Sequence, residues 1–189
     1  MMSEIDLSNV PSHLAIIMDG NRRWARKSNF LITDGHKVGA SKIKEVVTYA
    51  NSFKIKYLTL FAFSCENWQR DTIEVNAILE LINIYLYGPD IEYLLQNNVK
   101  LKIIGEISRF EDKIIQRIQE LEKQTINNSG IVLIIALNYS GRSEIIRATK
   151  KIAEKVLDNN VKISDIDEKL FTTFLDLPDI PCPDLLIRP

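Results

Sequence analysis

The stretch His13-Leu14-Ala15-Ile16-Ile17-Met18-Asp19-Gly20-Asn21-Arg22-Arg23-Trp24 changes character half-way along. Leu14 to Met18 is a short apolar run of the kind that forms a buried central strand. It stops on Asp19, Gly20 and Asn21, residue types that favour turns and helix starts, and Arg22 and Arg23 follow at once. In an open α/β sheet, ligands bind beyond the carboxyl ends of the strands, which is where this cluster falls. Asp19 offers a metal ion a hard oxygen, Gly20 lets a ligand approach the backbone, and Arg22 and Arg23 attract an anion. A Mg²⁺-diphosphate fits that set. A plainer reading stands beside it, in which Asp19 or Asn21 caps a helix and the arginines form a solvated face.

Composition narrows the choice. With 189 residues, 46% of them apolar and 26% charged, the chain fits one soluble domain with a sizeable core. The formal net charge of −1 gives no whole-chain attraction to nucleic acid, so no nucleic-acid partner is expected and any anion site must be local. Arg22, Arg23, Arg26 and Lys27 form the dense basic cluster beside a motif. Cys65 and Cys182 match no metal-ligand spacing and read as free thiols in a reducing compartment. The polar N-terminus is unlike a signal peptide, and residues 1–12 read as a flexible lead-in. The longest apolar helix candidate, Val75 to Tyr87, is interrupted by Glu80 and Asn83 and is short of the ~20 residues of a membrane span. A cytoplasmic location is expected, peripheral to the inner face of a membrane if the substrate is a lipid.

Outward from the opening stretch, Asn29 to Gly35 reads as a loop, and Gly35 and His36 open a helix that carries Val38, Ile43, Val46, Val47 and Ala50. Tyr57 to Phe63 is a strand ending in Ser64-Cys65-Glu66-Asn67-Trp68. A helical region from Thr72 to about Asn97 is broken at Gly88-Pro89. Val99 to Ile104 is a strand, Phe110 to about Ile126 an amphipathic helix, and Ile131 to Leu137 an unbroken apolar run suited to a central strand. A helix follows Asn138-Tyr139-Ser140-Gly141-Arg142. Ser164 with Asp167 resembles a capping box for a short helix, and Asp184 to Ile187 is a last strand. Strand and helix alternate, which predicts an α/β fold with an open, mainly parallel central sheet flanked by helices on both faces. Parallel strands would bring their ends to one rim carrying Arg22, Arg23, Arg70, Arg142 and Arg188, with Asp19 and Glu66 among them. An arginine surplus beside a metal carboxylate suits a substrate with several phosphate oxygens.

The segments M-D-G-N-R-R-W-A, G-H-K-V-G-A, F-S-C-E-N-W-Q-R, I-I-G-E-I-S-R-F, N-Y-S-G-R and D-L-L-I-R resemble, in order along His13 to Arg188, those of the cis-prenyltransferases, above all the bacterial undecaprenyl diphosphate synthases. The resemblance implies a Mg²⁺-dependent transferase that adds isopentenyl diphosphate units in cis (Z) configuration to farnesyl diphosphate, giving a long-chain polyprenyl diphosphate carrier for cell-envelope glycans. Residue by residue, it implies that Asp19 binds Mg²⁺ and is catalytic. Gly20, Asn21, Arg22 and Arg23 would cradle the allylic diphosphate, with Trp24 lining the mouth and His36 touching the phosphates. Ser64, Cys65 and Glu66 would belong to the substrate loop, with Asn67 as proton acceptor, Trp68 and Arg70 continuing the site, and Arg188 binding the diphosphate of isopentenyl diphosphate. It further implies a homodimer, transient membrane-surface contact for product release, and an apolar tunnel. Ile78, Leu79, Leu81, Ile82 and Leu86 are candidates to line that tunnel, though such periodicity ordinarily reports core packing. A neutral amide is a weak base, so a diphosphate oxygen, a water, or relay through Asp19 or His36 competes with Asn67 for the proton.

The chain departs from the family in three places. Ile32 stands where a phosphate-binding arginine is usual, which removes a charge-assisted contact unless Arg26 or Lys27 replaces it. Asp71 replaces a proline and affects only the helix start. The sequence stops at Arg188-Pro189, where the family continues with a Ser-Gly-Glu-x-Arg-x-Ser segment carrying a second metal-binding glutamate. The expectation is a single domain over residues 1–189, truncated at its C-terminus, from a longer gene product. The rival reading is a non-catalytic or degraded member that serves as a partner subunit or prenyl-diphosphate binder. A nucleotide-binding protein is disfavoured by the lack of a P-loop or G-x-G-x-x-G.

Overall fold

β1 (His13–Ile17) lies inside a five-stranded sheet, paired with β2 (Tyr57–Ser64) on one side and β5 (Leu185–Ile187) on the other. The structure is a computed structural model and describes residues 9–189. The lead-in expected over residues 1–12 falls outside the described residues as far as Ser8. Beyond it, Val10 packs against the core and the Ser12 carbonyl accepts the Lys56 and Tyr57 N–H groups, each at 3.0 Å. β4 (Val132–Tyr139) flanks β2 and β3 (Lys100–Ile104) forms the far edge, so the order is β3-β4-β2-β1-β5. All four pairings are parallel. The apolar runs of β1, β2 and β4 suit strands covered on both faces, while Lys100 and Lys102 on edge strand β3 blunt it against further pairing.

Crossovers are helical, as parallel pairing requires. α1 (Asn21–Lys27), α2 (Ile32–Ser41) and α3 (Ile43–Ser52) lead from β1 to β2. α4 (Thr72–Tyr87) and α5 (Pro89–Gln96) lead to β3, α6 (Asp112–Gln124) to β4, and α7 (Gly141–Leu157) and α8 (Glu168–Thr173) towards β5. Pro89 is the first residue of α5, where its missing N–H costs nothing, so the expected break falls in place.

Two local expectations are corrected. The helix expected to open at Gly35 begins at Ile32 and stops at Ser41. Gly35 and Gly39 are not turn residues: a Cβ at either would collide with Asn21, so they let α1 and α2 approach closely. The Ser164–Asp167 box does not form. Ser164 sits in a 3-10 turn with its hydroxyl donated to Asp165 at 3.0 Å, and Asp167 itself caps α8 by accepting the Leu170 N–H at 2.7 Å.

Side-chain alternation along β4 divides the core. Leu133 and Leu137 join a large cluster with Leu58, Phe63, Ile78, Leu94, Ile114 and Ile118 under α3 to α6. Ile134 and Ala136 point to the other face, where Ile104, Leu177 and Ile180 pack on them. Leu133→Ala in the middle of the sheet should cost about 2–5 kcal/mol in urea unfolding. Ile187→Ala on the exposed edge should cost less than about 1 kcal/mol. Equal losses would contradict this placing of the core.

Candidate active site

At the carboxyl end of β1 the chain turns sharply, and Gly20 takes a left-handed conformation (φ 88°) that glycine adopts without steric cost. The turn aims Asp19 at the rim. Its Oδ1 accepts the Gly20 N–H at 2.6 Å, and its Oδ2 accepts Nε and Nη2 of Arg188, beyond β5, at 2.9 and 2.7 Å. Arg23 lies 4.0 Å from the same oxygen. The Arg188 hydrogen bonds, then the Gly20 N–H, hold the Asp19 carboxyl below its ordinary range. Adjacent parallel strands thus bring together two residues 169 positions apart.

A second carboxylate organises the other cations. Glu74, in the first turn of α4, is 7% exposed. Its Oε1 accepts Arg70 Nη1 at 2.7 Å and His36 Nε2 at 3.1 Å, and its Oε2 lies 3.6 Å from Arg22 Nε. Burial pushes its pKa up, but the hydrogen bonds from His36 and Arg70 and the charges of Arg70 and Arg22 outweigh burial and leave it lowered. Asp71 starts α4 by capping the Ile73 N–H at 2.8 Å, and so sets Glu74 one turn in.

Asp19, Gly20, Asn21, Arg22, His36, Asn67 and Arg70 line one end of a single cavity. Its walls are otherwise mainly apolar: Ile78, Leu81, Ile82 and Leu86 of α4, Ile91 and Leu94 of α5, and Leu101, Ile103, Ile135 and Leu137 of the sheet. Its empty volume is about 1220 Å³, counting the open mouth. Of the tunnel candidates, Leu79 packs in the core instead. β2 and β4 slip register between Phe61 and Ser64, beside this mouth, where a bulge re-aims the strand end.

Arg23 and Arg188, both on Asp19, are not among the lining residues, and Asn67 joins the lining to the loop after β2. Ser64 and Asn67 form a capping box, with Asn67 Oδ1 accepting the Ser64 N–H at 3.0 Å, so the amide oxygen expected to take a proton is already engaged. Trp68 Nε1 donates to Asn138 Oδ1 at 2.9 Å, Asn138 Nδ2 donates to the Glu106 carbonyl at 2.6 Å, and Cys65 Sγ lies 3.2 Å from the Asn138 carbonyl. Asn138, 3% exposed at φ 48°, therefore ties the ends of β2, β3 and β4 together. Trp24 stacks on Phe30 at 5.6 Å, and Trp24, Ser64, Cys65, Glu66 and Trp68 do not line the cavity. Ile32 begins α2, while Arg26, Lys27 and Arg142 are exposed and also outside the lining. Among the described residues no group of three or more His, Cys, Asp or Glu could by itself hold a metal ion.

The geometry is that of a cation-lined mouth leading to a mainly apolar cavity. The family model described as "Putative undecaprenyl diphosphate synthase" matches residues 17–189. The chain belongs to that family, the cis-prenyltransferases. An isoprenyl transferase of Clostridium perfringens is 43% identical over 180 residues, covering 95% of this chain and 71% of that protein. The ditrans,polycis-undecaprenyl-diphosphate synthase ((2E,6E)-farnesyl-diphosphate specific) of Haemophilus influenzae is 41% identical over 99% of this chain and 78% of its own. Lavandulyl diphosphate synthase of Lavandula x intermedia, solved with dimethylallyl diphosphate, superposes with a TM-score of 0.90 at 34% identity, over 94% of this chain and 77% of that one. This cis-prenyltransferase has the open parallel sheet of its solved relative, and among its described residues no helix is long and apolar enough to cross a membrane.

Sequence reasoning missed Glu74 and ranked Asn138 low. The i, i+4 spacing of Arg70 and Glu74 was a visible signal, but an exposed helix pair gives the same signal. Glu74→Gln keeps the shape and leaves Arg22 and Arg70 without their counter-charge. A carboxyl held low in the fold stabilises it above the unfolded value and loses that contribution as pH falls through the folded value. Glu74→Gln should thus cost about 3 kcal/mol in urea unfolding at pH 7. The gap from wild type should close as pH falls below the ordinary value of 4.5. A gap independent of pH would contradict the ion cluster.

Proposed function

We propose that this family member lengthens an allylic diphosphate, farnesyl diphosphate in the first instance, with isopentenyl diphosphate units in cis configuration. The product is a long polyprenyl diphosphate of the undecaprenyl type, used as a lipid carrier for cell-envelope glycans. The observation that carries the reading is the single cavity with a cation-lined mouth and apolar walls. That shape seats a diphosphate and an isoprenoid tail at once. The names of the Clostridium and Haemophilus relatives, and the dimethylallyl diphosphate held by the lavender enzyme, point the same way.

In this reading Gly20, Asn21, Arg22 and Arg23 hold the allylic diphosphate, and Arg188 receives that of isopentenyl diphosphate. His36 and Arg70 are held at the mouth by Glu74; Arg70 brings positive charge, and His36 a ring N–H, to where the leaving group develops negative charge. The allylic C–O bond breaks, the double bond of isopentenyl diphosphate forms the new C–C bond, and a proton leaves the adjacent carbon. Asn67 shapes the loop at the mouth through its capping box, and because a neutral amide is a weak base the proton goes to a diphosphate oxygen or to water. Asp19, one exposed carboxylate beside the diphosphate seat, fits Mg²⁺, which takes one or two carboxylates together with substrate phosphate oxygens. Bound there, Mg²⁺ would neutralise charge on the departing diphosphate. A product of this length is too apolar for water, so release takes place at a membrane surface, and the working unit is a homodimer.

Labelled isopentenyl diphosphate supplied with farnesyl diphosphate and Mg²⁺ should yield a ladder of lengthening products on chromatography. Asp19→Ala should keep its circular dichroism and lose at least about 100-fold in turnover. Activity within a few-fold of wild type would exclude Asp19 from the site.

A further inference from the structure

β5 is the shortest strand of the sheet, three residues long, and among the described residues it pairs with β1 alone. Strand register is ordinarily set by the face that is buried, because a slip of one residue turns every side chain to the opposite face. So short a strand offers few side chains to set a register, and hydrogen bonds at its entry add to them. The register matters, because Arg188 follows the strand directly and, with Leu14, Ala15 and Ile16 opposite Leu185, Leu186 and Ile187, it reaches Asp19.

The restraint lies at the other end of β1. His13 is 4% exposed and both of its ring nitrogens are engaged. Nδ1 lies 2.6 Å from the Pro181 carbonyl, which only accepts, so Nδ1 carries a proton and donates it. Nε2 lies 2.8 Å from the Thr59 hydroxyl on β2 and, in the neutral ring, accepts from it. The main chain of the same residue grips Asp184 twice. The His13 N–H donates to Asp184 Oδ2 at 2.9 Å, and the Asp184 N–H donates to the His13 carbonyl at 2.9 Å. One buried residue thus binds the segment just before β5 to both β1 and β2.

We propose that His13 is a positioning residue for Arg188: by clamping Pro181 and Asp184 it sets the register of β5 and holds the Arg188 guanidinium at the Asp19 mouth. His13 does not line the cavity and acts only through the strand. The consequence for substrate rests on the function proposed above, in which Arg188 receives isopentenyl diphosphate.

His13→Phe keeps an aromatic ring in the buried space and removes both ring hydrogen bonds, while Asp184→Ala alters an exposed position and removes one of the two main-chain links. Hydrogen–deuterium exchange of residues 184–189 reads the clamp without turnover, and separate titration of the two substrates reads its effect. In His13→Phe, exchange over residues 184–189 should quicken about tenfold while β2 and β4 stay protected, with Asp184→Ala changing in the same direction. KM for isopentenyl diphosphate should rise about tenfold, with KM for farnesyl diphosphate and kcat within about twofold of wild type. Unchanged exchange over 184–189 in a folded variant overturns the clamp. Both KM values rising together, or kcat alone falling, overturns the positioning role. If His13→Phe does not fold, Asp184→Ala decides by the same readings. A wild-type protein that turns over neither substrate defeats the proposed function instead, and the exchange readings then decide the clamp by themselves.

Discussion

Parallel pairing joins all five strands of the sheet. It sends every carboxyl end to one rim, so residues far apart in the chain become neighbours with no local signal between them. Asp19 follows β1 and Arg188 follows β5, and they meet because those strands run the same way in adjacent places. The Asn67 loop follows β2 and Asn138 closes β4, next door again. Parallel pairing also demands long crossovers, and the one between β2 and β3, made of α4 and α5, supplies most of the apolar wall of the cavity.

A rim so rich in arginine needs an internal counter-charge, and Glu74 supplies it. A carboxylate at 7% exposure is tolerable only when paired, and three cationic or proton-donating groups converge on it from α1, α2 and the loop before α4. The pairing fixes where those groups stand while leaving positive charge in excess. Asp19 plays the complementary part at the mouth, more exposed and bound to a cation from the far strand. The two carboxylates differ in setting: Glu74 is buried among its partners, whereas Asp19 stands part-exposed at the rim with Arg188 on its Oδ2.

Much of this was legible in the sequence because the signals were local. Apolar runs ending in turn residues located β1, β2 and β4, and Gly88-Pro89 marked the α4–α5 junction. What failed depended on contacts at a distance. Gly35 read as the end of a loop, because nothing local shows that Asn21 would press against it. Ser164 matched a capping spacing, but Asp167 offered the same three-residue reach to Leu170 with an ionised acceptor. In the site, Asp19, Asn21, Arg22, His36 and Arg70 share the cavity, while Arg23, Trp24, Glu66 and Arg188 are not among its lining residues. The motif order identified the segments that meet at the rim, not the side chains that turn inward. Glu74 stayed invisible because a buried ion cluster and an exposed i, i+4 pair are written alike.

The central claim is that one cavity seats both the diphosphate and the growing isoprenoid tail. A crystal structure of the protein with Mg²⁺ and farnesyl thiodiphosphate, whose C–S bond resists ionisation, tests it most directly. The diphosphate should lie against Gly20 to Arg23 within reach of Arg22, with the farnesyl tail between α4 and the β3–β4 face. A diphosphate bound elsewhere, or a tail lying outside that channel, would contradict it.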